Sequence, residues 1–273
     1  MLSAVLQNRV LFQWVKYAVY LALLNNVYLF MVEEIRSAAA LNIEISSFGS
    51  FFQTFSATID TAAWLILLIF FELETYVLSD RSLRGILGNI IRLVRALCLG
   101  AIVVACWGYF REFYDLLATE PLDAKACAQL TEDWSILIDL DKYESLSLSS
   151  CVQGDWVLLS NYDKVAAERE LLRGAIWLAL VDFINSMAWI LVVVLLEIEV
   201  RAVLAMKNDA GSLGGAFYPA KMCLYSILFS AAVYWGFEGV FLDFWDAILW
   251  LFAFFVIERN VVSWREETDL VAD

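Results

Sequence analysis

The sequence predicts an all-α fold: a polytopic transmembrane helical bundle of about six spans, with a duplicated helical hairpin and one long exported loop. Three observations predict it. Hydrophobic residues make up 62% of the 273, with a mean hydropathy of +0.71, well above the roughly 45–50% apolar content of soluble domains. Apolar stretches long enough to cross a ~30 Å hydrocarbon layer recur along the chain. The basic residues gather in alternate connections between those stretches.

The stretches lie near Val10–Val32, Phe55–Leu78, Ile90–Tyr114, Leu172–Val200, Phe217–Phe237 and Asp243–Val262. Proline occurs only at Pro121 and Pro219, as long uninterrupted helices require. The first stretch resembles a signal peptide in hydropathy. A cleavage site would have to lie near Ser37–Ala40, beyond Glu33, Glu34 and Arg36, so a retained helix is expected.

Orientation follows from charge. Arg9 and Lys16 precede the first span. Arg81, Arg84, Arg92 and Arg95 lie between the second and third. Arg201, Lys207 and Lys221 lie between the fourth and fifth, and Arg259 and Arg265 close the sixth. All fall on one side, which the positive-inside rule makes cytoplasmic. The expected protein is therefore a multi-pass protein of the cell (inner) membrane with both termini cytoplasmic. Residues 1–115 hold spans one to three, 116–171 the extracytoplasmic loop, and 172–273 spans four to six and a short tail. The acids fall mainly outside, so the whole net charge of −14 is assigned there. This is either a solvated acidic loop or a surface that concentrates cations. The loop carries Cys127 and Cys151, expected to form a disulfide in an exported segment. Its alternating stretch Tyr143–Leu148 has the period of a short strand.

Spans two and four align without a gap. Ala63–Glu74 (AWLILLIFFELE) matches Ala188–Glu199 (AWILVVVLLEIE), and Asp60 falls on Asn185. The same offset places Cys98 on Cys223. After a small insertion Trp107-Gly108-Tyr109 meets Trp235-Gly236-Phe237. The even spans share one further pattern. Asp60, Trp64 and Glu72, then Asn185, Trp189 and Glu197, then Asp246, Trp250 and Glu258 repeat an acid or its amide, a Trp four residues on, and a Glu eight residues later. Helical geometry puts the polar group and the Trp on one face. Both copies run in the same sense, unlike the inverted repeats of many transporters.

The chain has no histidine, which removes His-ligated haem and zinc, Ser-His-Asp triads and His relays. It has no Gly-rich phosphate loop, and no cofactor, metal, nucleic-acid partner or enzymatic activity is expected. The candidate pathway residues are Asp60, Asp182 and Asn185 toward the outer side, and Glu72, Glu74, Glu197, Glu199 and Glu258 near the inner boundary. The inner set either pairs with Arg92, Arg95, Lys221, Arg201 and Arg259 or forms a carboxylate ring at the mouth of a cation path. Asp60, Asp182 and the Asn25-Asn26 notch either bond between helices or line a hydrated cavity. The expected function is movement of cations or protons through a channel or transporter, embedded in the lipid bilayer as a homo-oligomer or as a subunit of a membrane complex. The rival is a non-catalytic membrane subunit that anchors or assembles a larger complex. Reporter fusions at Gly154 and at Gly211 are expected to lie on opposite sides of the membrane; the same side for both overturns the topology.

Overall fold

The computed structural model describes residues 9–43, 45, 47–74, 85–122, 134–146, 155–205 and 210–254. The described helices are α1 (Arg9–Ala40), α2 (Phe48–Thr54), α3 (Ser56–Glu72), α4 (Ile86–Leu117), α5 (Arg169–Ala205), α6 (Ala210–Glu238) and α7 (residues 241–254). Four stretches are long and apolar enough to cross a membrane: Gln13–Ala40, Ile86–Leu117, Arg169–Ile198 and Phe217–Glu238. They point to a membrane protein. The chain divides into two units, residues 1–26 with 225–273 and residues 27–224, and α1 and α6 contribute to both.

In the larger unit α4 packs against both α3 and α5. The expected second span, which starts at Phe55, holds α3 and is preceded by a break: α2 meets α3 at Phe55 with a bend of 83°, so the pair counts as a fifth span only if taken together. The break has local causes. Ser47 caps α2 through a reciprocal box with Ser50, which fixes where that helix starts. The Ser56 hydroxyl then donates to the carbonyls of Phe52 (2.9 Å) and Gln53 (3.0 Å), satisfying the end of α2 in place of continuing helix bonds. Phe48, Phe51, Phe52 and Phe55 stack in succession along α2, with ring centroids 4.5 to 5.8 Å apart. Phe48 and Phe51 are exposed.

Gly108 of α4 is the contact that admits the break. A Cβ there would lie 2.0 Å from Ser56 Oγ and 3.1 Å from Ser56 Cβ. Only a glycine lets α4 approach the start of α3 this closely.

The all-α expectation fails in the segment between α4 and α5, which folds into a five-stranded sheet ordered β1-β4-β5-β2-β3. Its strands are β1 (Thr119–Leu122), β2 (Ser135–Asp139), β3 (Lys142–Ser145), β4 (Trp156–Leu159) and β5 (Val165–Glu168). All neighbours are antiparallel except β2 and β5, which run parallel. One face, with Leu137, Val157, Leu159, Val165 and Ala167, packs on Leu116 of α4 and on Leu172, Ala175 and Ala179 of α5. The other face gathers Ile136, Leu146, Trp156 and Ala166. Burial on both faces removes the alternation that marks a one-sided strand. The sheet is therefore a cap built onto the ends of α4 and α5. Strand β3 overlaps the expected strand Tyr143–Leu148 over residues 143–145. Cys127 and Cys151 lie outside the described residues.

In the smaller unit α6 ends in a Gly-terminated turn. Gly239 has φ +81°, and the Val240 N–H donates to the Trp235 carbonyl at 3.0 Å, the pattern of a left-handed helix stop. The chain then turns into α7. Gly236 lies against Phe244, where a Cβ would approach to 3.2 Å. The helix expected over 243–262 is described as far as residue 254.

Gly108→Ala must push the Ser56 hydroxyl off the α2 carbonyls and is expected to lower stability by about 1–3 kcal/mol. Gly100→Ala, at a position where the new methyl meets nothing within 4 Å, is expected to be neutral or mildly stabilising. Thermal unfolding of both variants in detergent checks the contrast.

Candidate functional site

The break at Phe55 leaves the first N–H groups of α3 without intrahelical acceptors. Phe55 supplies no side-chain cap. The acceptor comes from α1: Glu34 Oε1 accepts from the Ala57 N–H (2.7 Å), and its Oε2 accepts from the Thr58 hydroxyl (2.5 Å) and the Thr58 N–H (3.3 Å). Glu34 is buried. A carboxylate at a helix N-terminus is also favoured by the helix dipole.

A second buried acid joins the break to the cap. Asp115, near the end of α4, accepts from Arg111 (2.9 Å), from Gln53 of α2 (3.2 Å) and from Asn161 in the β4–β5 turn (3.0 Å). A third acid, Asp141, sits in the β2–β3 turn with φ +60°, and the Ser37 hydroxyl of α1 donates to it at 3.1 Å. Ser135 of β2 donates to the Ala40 carbonyl at the end of α1 (3.0 Å). Burial, reinforced by the neighbouring Glu33 carboxylate, pushes Asp141 up to about 6. Tyr143 and Tyr162 hydrogen-bond to each other beneath the sheet, and burial drives both hydroxyls well above their usual range.

From this cluster a file of polar groups enters the bundle. Glu112 of α4 lies within electrostatic reach of Asp141, Asp182, Glu34 and Asp115. Asp182 on α5 shares a helix face with Ser186, one turn on. Ser186 lies beside the Cys106 thiol of α4, which is in turn within electrostatic reach of Asp60 on α3. Asn185 Oδ1 is buried without a hydrogen-bond partner among the described residues. One turn below Asp60 and Asn185, the buried rings of Trp64 and Trp189 meet at 6.3 Å.

The structure thus brings Asp60, Asp182 and Asn185 into one region of the larger unit. Glu72 and Glu74 lie at the opposite end of α3, where Glu74 pairs with Arg95 at 2.7 Å. That pair is partly exposed and is worth about 0–1 kcal/mol. Glu197 is exposed on α5. Of Glu199 only the helical backbone is described, and Glu258 lies outside the described residues. The aligned repeat positions share their surroundings in part. Trp64, Trp189 and Trp250 are all buried, whereas Cys98 is buried and Cys223 exposed, and Trp107 is exposed and Trp235 buried.

Sequence reasoning missed Glu34, Glu112, Asp115 and Asp141 as site residues. The available signal was weak: Glu34, Glu112 and Asp115 are acids close to a span end and Asp141 lies within the expected loop, places where an acid is usually solvated. Their convergence depends on the helix break and on a sheet whose strands are too short to read. The chain matches no family model, no curated protein and no solved structure.

Asp141 generates a pH dependence. The folded protein holds this proton to higher pH than the unfolded chain, whose aspartate titrates near ~4. The contribution of Asp141 to stability is therefore fully present below about pH 4 and is lost as pH rises through about 6. Asp141→Asn keeps the left-handed turn and the Ser37 bond and is expected to flatten the profile between pH ~4 and ~6. Unfolding midpoints measured across that range are the check.

Proposed function

We propose that the protein moves protons or small cations through its helical bundle, by way of the acidic file beneath the cap. One observation supports the reading: Asp141, Glu112, Asp182 and Asp60 follow one another within a single unit, linked by Ser186 and Cys106, among helices that are otherwise apolar. A carboxyl group at hydrocarbon depth costs several kcal/mol unless it faces water, a polar neighbour or an ion. Acids repeated at successive depths suit a path along which a cation is passed.

In this reading the cap lies on the exported side and both termini are cytoplasmic. The chain makes six passes, with α7 in the last. The hairpins of spans two–three and four–five are copies of one ancestral unit. Glu72, Glu74, Glu197, Glu199 and Glu258 line the inner mouth, and a homo-oligomer surrounds or repeats the path. The Trp64–Trp189 pair closes the file below Asp60 and Asn185 and acts as its gate.

Reconstituted liposomes under a pH gradient or a potassium diffusion potential test the assignment. Asp182→Asn keeps size and hydrogen bonding while removing the charge, and is expected to lower flux at least ~10-fold, a barrier change of about 1.4 kcal/mol. Trp64→Ala opens the closure and is expected to raise flux. Wild-type protein that carries no ion under either polarity moves the assignment to a membrane subunit that anchors or assembles a larger complex.

A further inference from the structure

The smaller unit holds a polar pair of its own. Asn26 interrupts the apolar run of α1 and is fully buried. Its Nδ2 donates to Asp246 Oδ1 of α7 at 2.7 Å. The Trp250 side chain, one turn along α7, hydrogen-bonds to the same carboxyl group. Asn26 and Trp250 are the groups that act on Asp246, and no charged side chain among the described residues opposes it. One atom stands out: Asn26 Oδ1 is buried and has no hydrogen-bond partner among the described residues.

Donor and acceptor counting decides what is missing. A carboxamide offers two donors and an acceptor; an ionised carboxylate offers acceptors alone. With Asp246 ionised, the Asn26 Oδ1 faces a group that has nothing to donate. A neutral carboxylic acid changes the count. An acid and a primary amide form a cyclic pair, with the amide N–H donating to one carboxyl oxygen and the acid O–H donating to the amide oxygen. The first of these bonds is the one present. The second needs a proton on Asp246 Oδ2, taken from water with no covalent bond broken in the protein, and that oxygen turned toward Asn26 Oδ1. The same proton removes a charge from an apolar setting, where an ionised carboxylate is costly.

We propose that Asn26 and Asp246, braced by Trp250, form a proton-binding site in which Asp246 is a neutral acid that donates to Asn26 Oδ1. The site lies in a different unit from the acidic file and does not depend on the transport reading. Losing the proton orphans the amide oxygen again, so deprotonation forces the Asn26 side chain or its helix to rearrange. The Asp–Trp part of the pair repeats the spacing of Asp60–Trp64 and Asn185–Trp189, which places a carboxyl or carboxamide one turn before a buried Trp in three helices.

Infrared spectroscopy of the full chain in lipid nanodiscs at about pH 7, with and without aspartate carrying ¹³C in its carboxyl group, tests the site. The expected result is a protonated-carboxyl C=O band that moves down with the label and disappears in Asp246→Asn. In Asn26→Leu the band should survive and move to higher frequency, because the acid has lost the Asn26 amide and keeps only the Trp250 bond. No label-sensitive protonated band in the wild-type protein overturns the proposal. So does a band that persists in Asp246→Asn, which assigns it to another aspartate. So does a band that sodium or potassium abolishes at constant pH, which makes the pair a monovalent-cation site. If Asp246→Asn fails to fold, the shift in Asn26→Leu decides: an unmoved band overturns the pairing. None of these readings involves ion flux, so the site stands or falls separately from transport.

Discussion

The larger unit depends on one constraint: the backbone groups freed at Phe55 have to be satisfied at the edge of an apolar bundle. In hydrocarbon an unmet N–H or C=O costs several kcal/mol, so a broken helix survives there only if its neighbours supply the partners. Glu34 meets the N–H side from α1, and the Ser56 hydroxyl meets the C=O side from within the break. Gly108 leaves the space that keeps Ser56 in place. The bend, the position of α1 and the approach of α4 are therefore one solution.

Asp115 extends that solution to the cap. Its carboxylate holds α2 through Gln53 and the β4–β5 turn through Asn161, while Arg111 of its own helix balances the charge. The sheet adds apolar contact with α4 and α5 and is tied to the end of α1 by Ser135 and Ser37. Acids that would repel one another in isolation are tolerated because each has donors assigned to it: backbone and Thr58 for Glu34, Arg111 and amides for Asp115, and Ser37 for Asp141. Rigid polar joinery of this kind keeps the end of the bundle closed over the file of carboxyls beneath.

Hydropathy made the long helices legible. The expected spans near residues 10–32, 90–114, 172–200 and 217–237 fall inside α1, α4, α5 and α6, because a continuous apolar run has few alternatives to a helix in lipid. The bend at Phe55 was not legible: the expected second span begins at Phe55 itself, and Gln53, Thr54, Ser56 and Thr58 around it read as the polar end of an apolar run rather than as a joint between two helices. The sheet was hidden by its brevity and by burial on both faces: Trp156-Val157-Leu158-Leu159 reads as a fragment of apolar helix as easily as a strand. Asp60, Asp182 and Asn185 were found because they interrupt apolar runs. Glu34 and Asp141 were not, because an acid near a span end or in a loop looks ordinary until a distant helix start or a serine is brought to it.

The parallel pairing of β2 with β5 has a consequence for the order in which the chain can be completed. As the polypeptide is synthesised, β2 and β3 appear first and can form a hairpin, but an isolated two-stranded hairpin is marginal in water. Strand β1 waits for β4 and β2 waits for β5, and β5 runs directly into α5. Closing the sheet over Leu172, Ala175 and Ala179 therefore requires the start of α5 to be in place. The cap is a late joint that locks only when the helix following it arrives, so until then the acids at the end of α4 stay open to water. The segment spends its early life as a tethered, half-assembled lid, and the insertion of one helix sets the moment at which the bundle is sealed.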